Sequence, residues 1–196
     1  MSLIALNIKN RVYRIEEASN SRYNGHNCKV VVDFIRHLMA AKFDFTTYSV
    51  TILTPYAEQR SRYIKALIEL AATKGVQWKH MVKVATVDSM QGHQSDCVIF
   101  DWVVSQAVRP SDLGFTVDNN RCNVGITRAR SCLINVGNVG MLSGDYASKQ
   151  QANSKQKGDV KPPPEVLEFW RYLAKKDVCY PLQSVYVEPA TSDEYT

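Results

Sequence analysis

Between residues 25 and 42 the apolar positions Val30, Val31, Phe34, Ile35, Leu38 and Met39 recur as pairs four residues apart. That spacing places them on one helical face and predicts a helix over roughly this span. Residues 47–53 are then β-branched and apolar and stop short of Pro55, as a buried strand does. Tyr63, Ile64, Leu67, Ile68 and Ala71 form a second helical stripe that ends before Gly75. Residues 82–87 and 97–104 read as strands, the latter almost continuously apolar. A short helix over 121–128 and a strand over 131–136 follow. A last helix over 165–176 turns Val166, Phe169, Trp170 and Leu173 to one side.

Strands without a polar face, alternating with amphipathic helices, imply an α/β fold: a parallel sheet with helices on both faces. In open sheets of this kind ligands gather beyond the carboxyl ends of the strands, and the chemically suggestive segments here are expected to follow strand C-terminal ends. Residues 143–164 break the pattern. They are rich in Lys, Gln, Ser and Asp, end in Pro162-Pro163-Pro164, and read as a long mobile loop. Residues 1–10 carry no basic region ahead of their short apolar stretch, which argues against a signal peptide, and the pattern assigns them no element. One domain over 1–187 and a frayed tail over 188–196 complete the division.

Composition narrows the class. Hydrophobic residues at 45% and charged residues at 22% suit a globular domain that buries a core. No apolar run approaches the ~20 residues of a membrane span. The net charge of +5 leans mildly towards polyanionic partners. Cysteines stand at 28, 97, 122, 132 and 179 with no C-x-x-C pair, which suits buried reduced thiols in an intracellular protein, nuclear or cytoplasmic. The histidines, at 26, 37, 80 and 93, lack metal-ligand spacing, so no metal site is expected.

Four segments carry the chemistry. They are Ser21-Arg22-Tyr23-Asn24, then Thr54-Pro55-Tyr56-Ala57-Glu58-Gln59-Arg60, then Thr86-Val87-Asp88-Ser89-Met90-Gln91-Gly92-His93-Gln94-Ser95-Asp96, and last Cys122-Asn123-Val124-Gly125-Ile126-Thr127-Arg128-Ala129-Arg130. In this order and at these distances, over about residues 20–140, the chain resembles the C-terminal half of superfamily 1 helicases. The resemblance is to the class of the RNA-surveillance helicase, the senataxins and the Aquarius-type splicing helicase. It implies a second RecA-like domain with the parallel sheet of P-loop NTPases, lacking the phosphate-binding loop. No Gly-Lys dipeptide occurs, and the only Asp-Glu pair, Asp193-Glu194, lies in the tail. Half a catalytic site is therefore expected. The other half, with ATP and magnesium, belongs to an N-terminal RecA-like domain of the same parent protein.

By that resemblance Arg60 and Arg128 act as the catalytic arginines that reach the γ-phosphate. Gln59, Arg60, Gln94 and Arg128 form the nucleotide-binding set, and Arg130 pairs with a local acid. Gln94 stands where the family usually has Glu, Gly125 where it has Ala, and Asn120 where it has Arg. Thr54, Pro55, Thr86, Ser89 and Gln91 at strand ends would hold a single strand of RNA or DNA by its phosphates. Hydroxyls at strand ends also cap turns, and both readings stand. Tyr56 has two readings as well, stacking on a base or packing in the core. Gly92 is expected to serve a tight turn. The expected function is the C-terminal motor domain of an ATP-dependent helicase, inactive by itself. The alternatives are a stand-alone nucleic-acid- or protein-binding module and a structural pseudo-helicase domain.

Overall fold

The computed structural model describes residues 1–9, 13–153 and 164–182. The chain opens with strand β1 (Ser2–Ile8) and the short strands β2 (Arg14–Ile15) and β3 (Arg22–Tyr23). Helix α1 (Gly25–Ala40), strand β4 (Val50–Thr54), helix α2 (Ala57–Ala72) and strand β5 (Lys83–Thr86) follow. Strand β6 (Ser95–Asp101), helices α3 (Pro110–Leu113) and α4 (Asn119–Ile126), and strand β7 (Ala129–Gly137) come next. Helices α5 (Asp145–Asn153) and α6 (Glu165–Lys175) precede strand β8 (Cys179–Leu182). The main sheet has the order β5-β4-β6-β7-β1-β8, and each neighbouring pair in it is parallel. β2 and β3 form a separate antiparallel pair.

Adjacent strand residues split between two cores, because successive side chains point to opposite faces. Ile52, Val84, Ile99 and Ile134 join Val31 and Ile35 of α1 and Tyr63 and Leu67 of α2. Leu53, Ala85, Val98 and Leu133 join Cys122 of α4 and Val166, Leu167, Trp170 and Leu173 of α6. Burial on both faces is why the strands read as unbroken apolar runs. The result is the expected α/β fold, a parallel sheet with helices on both faces. Among the described residues no helix is long and apolar enough to cross a membrane.

Several boundaries depart from the sequence reading. Residues 2–8 are a strand lying between β7 and β8, with Ser2 opposite Cys132 and Ala5 opposite Cys179. Its partners lie more than 120 residues away, so no local signal marks it. The run 97–104 leaves the sheet at Asp101, because Val103 takes a left-handed φ of 64° while its N–H bonds back to the Asp101 carboxylate at 2.9 Å. The expected loop over 143–164 contains α5. There the fully buried Ala147 donates its N–H to the Ala107 carbonyl, so packing at one small residue overrides a polar composition. Residues 154–163, the rest of that loop, and the tail over 188–196 lie outside the described residues.

Candidate functional site

The motif residues fall at two ends of the sheet. Thr54 and Thr86 are register partners at the C-terminal ends of β4 and β5, and the Val87 N–H bonds to the Thr54 carbonyl at 3.1 Å. Thr54 is fully buried, and among the described residues its hydroxyl has no hydrogen-bond partner. Pro55 is half-buried. Tyr56 is buried and packs edge-on against Phe115, with ring centroids 5.8 Å apart, so its ring belongs to the core.

Beyond β5, residues Asp88–Met90 make one 3₁₀ turn. The Ser89 hydroxyl accepts from the Thr86 N–H at 3.0 Å and donates to the Thr86 carbonyl at 2.9 Å. Turn capping, one of the two readings of these hydroxyls, is thus what Thr86 and Ser89 do here. Both Ser89 and Gln91 remain exposed. Gly92 follows with φ of 78°, a left-handed turn that glycine adopts at no steric cost.

The second group lies at the opposite ends of the strands. The exposed Gln94 lies immediately before β6, and the half-buried Arg128 immediately before β7. The Ser95 N–H bonds to the Arg128 carbonyl at 3.0 Å, which sets these two side by side. The expectation that all motif segments follow strand C-terminal ends is therefore corrected. The connections into β6 and β7 carry the chain back to the strand starts, and motif residues that close such a crossover sit there. Arg130 pairs with Asp96 at 3.4 Å, as expected for a local acid. The Ser49 hydroxyl and N–H bind the same carboxylate and hold Asp96 below the usual range, with Arg130 adding to the effect.

Arg128 binds the Val124 carbonyl through Nε at 3.0 Å and the Thr127 hydroxyl through one Nη at 2.9 Å. Arg60, in the first turn of α2, sends Nε to the Val84 carbonyl at 3.3 Å. Each guanidinium is oriented by a carbonyl of its own neighbourhood and keeps further N–H groups for an anion. This donor set fits phosphate oxygens. Among the described residues no group of three or more His, Cys, Asp or Glu side chains is placed to hold a metal ion.

Gln59 is fully buried. Its amide donates to Asp101 at 2.6 Å and to the Asn24 carbonyl at 3.1 Å, and accepts the Asn24 N–H at 2.8 Å. Both N–H groups are spent within the fold. The hub of this network is Asp101, which the sequence pattern did not single out. It is fully buried and also accepts from Asn27 at 2.6 Å and Tyr63 at 2.7 Å. Burial pushes its carboxyl up to about 6, against the lowering effect of its four donors. The available signal was a carboxylate ending an apolar strand, which needs donors if it stays inside.

Residues 1–140 match a family model described as an AAA domain. The chain belongs to that family. It is similar to the probable helicase senataxin of Mus musculus, 33% identical over 128 residues that make up 65% of this chain and 5% of the relative. Regulator of nonsense transcripts 1 of Dictyostelium discoideum is 38% identical over 49% of this chain and 7% of its own length. An uncharacterized ATP-dependent helicase of Methanocaldococcus jannaschii is 30% identical over 68% of this chain and 18% of its own length. This AAA-family chain thus spans a small fraction of the curated relatives it matches, and it is a C-terminal helicase domain of the superfamily 1 class. The C-terminal domain of a possible DNA helicase from Lactobacillus plantarum also aligns, at 13% identity and a TM-score of 0.40, over 70% of this chain and 73% of that one.

Proposed function

We propose that this helicase domain supplies arginines and part of a single-strand track to an ATP-driven motor. An N-terminal RecA-like domain would complete its ATP site. The observation that carries the reading is the separation of the motif residues into two groups. Arg128 and Gln94 stand together at the strand starts, and Thr54 and Thr86 end β4 and β5 with Ser89 and Gln91 just beyond.

In this reading the first group faces the nucleotide. Arg128, oriented by the Val124 carbonyl, offers its free N–H groups to phosphate oxygens. A guanidinium fixed in this way stabilises charge that builds on a transferring phosphoryl group, a role worth ~10³–10⁵ in rate in related motors. Gln94 can hydrogen-bond a ribose hydroxyl without adding charge. Arg60, in the helix turn that follows the C-terminal end of β4, would reach the phosphate separately, through the Nη groups left over from its Nε bond to the Val84 carbonyl. Gln59 fixes the start of α2, and with it Arg60, through Asn24 and Asp101. Magnesium-bound ATP, held by the partner domain, supplies the phosphoryl group. In the second group the exposed Ser89 and Gln91 face a single strand of RNA or DNA, with Thr54 and Thr86 beneath them at the strand ends.

The chain alone should release no phosphate from ATP, even with single-stranded RNA present, because the phosphate loop and magnesium carboxylates are contributed elsewhere. Turnover that survives further purification would overturn the half-site reading.

A further inference from the structure

A cavity of about 500 Å³ opens beside the C-terminal ends of the strands, walled by Asn20, Arg22, Tyr56, Phe115, Asp118 and Arg121. None of the motif residues assigned to the single-strand track lines it. Its most prominent feature is Phe115, a large apolar ring left 50% exposed. Tyr56 supports the ring from one side, and the Arg121 guanidinium lies 4.5 Å from its centroid.

The walls are built tightly. Arg22 is fixed by hydrogen bonds to the carbonyls of Ser111 and Asp112 and stacks on the Tyr13 ring at 4.6 Å. Gly114 takes a φ of 51°, and a Cβ there would lie 2.6 Å from the Arg22 guanidinium carbon and 2.7 Å from the Tyr56 hydroxyl. Only glycine lets the backbone close against this wall. The cavity also joins the strand-end turn directly, because Arg121 Nε binds Asp88 at 3.2 Å, one residue before Ser89.

We propose that this cavity seats one nucleobase of a single strand that runs past Ser89 and Gln91, with the base stacked on Phe115. The proposal rests on the nucleic-acid reading above and adds the residues that would grip a base. Its chemistry is that of single-strand platforms, which combine an exposed aromatic ring with guanidinium planes that accept any base. Asp88 and Asp118 pair with Arg121 at 3.2 and 3.9 Å and offset its charge. The grip here is therefore stacking rather than phosphate attraction, and it responds little to salt.

The test titrates a labelled uridine oligomer, and an abasic oligomer of equal length and charge, into the full chain at two salt concentrations. Phe115→Ala should weaken the base-bearing oligomer by ~5- to 100-fold, by a similar ratio at both salts, and leave the abasic oligomer unchanged. Phe115→Trp should restore binding. Equal weakening of both oligomers, or no weakening, overturns the cavity assignment while the track reading stands. Lost ATP binding with unchanged oligomer binding would assign the cavity to a free nucleotide and also overturn it. A wild-type chain that binds neither oligomer overturns this proposal and the track reading together.

Discussion

At the residue scale, Asp101 is the group whose chemistry departs furthest from its ordinary state. Four donors from α1, α2 and the backbone converge on its carboxylate. Its folded-state value of about 6 lies above the unfolded ~3.9. The folded chain therefore holds this proton more tightly, and the stabilisation is complete below about pH 4 and lost as pH rises through 6. We expect the stability gap between wild type and Asp101→Asn to shrink by up to roughly 3 kcal/mol between pH 4 and 7. Urea titrations of both proteins at each pH read this out, and a gap that widens with pH would contradict it. The same network explains why Gln59 was only half legible. Its place before Arg60 in the motif is plain in the sequence, but spacing does not distinguish an amide facing a ligand from one spent inside on Asp101 and Asn24.

At the element scale, helix α4 carries a glycine where helix propensity favours alanine by ~1 kcal/mol. The structure supplies the reason. A Cβ at Gly125 would lie 2.3 Å from the Phe100 ring, which is buried between α4 and β6. Gly125→Ala should therefore destabilise the fold by roughly 1–3 kcal/mol through overpacking, despite the gain in propensity. Adding Phe100→Leu should recover part of that loss, so the two changes together cost less than their sum. Thermal melts of the single and double variants decide it; a more stable Gly125→Ala protein would mean the ring moves aside freely. The amphipathic helices α1, α2 and α6 were readable because each buries a single stripe. Strand β1 and helix α5 were not, since one depends on partners from the far end of the chain and the other on Ala147 against Ala107.

At the scale of the whole molecule, alternating strands and helices foretold the parallel sheet, but not its order or which motif meets which edge. Those follow from crossovers. The connection from β5 to β6 carries Gln94 away from Ser89, and the helix before β7 sets Arg128 beside Gln94. The sheet thus carries Thr54 and Thr86 at the C-terminal ends of β4 and β5, and Gln94 and Arg128 at the opposite end, before β6 and β7. The most direct measurement of that account is the affinity of the full chain for a single-stranded oligomer across a series of salt concentrations. A domain of net charge +5 making a few phosphate contacts should bind at about 10⁻⁴–10⁻⁶ M near physiological salt, with log affinity falling linearly against log salt. Exchanging Ser89 and Gln91 together for alanine should weaken binding further. Affinity that ignores salt, or that survives the double replacement unchanged, would contradict a nucleic-acid track at this edge.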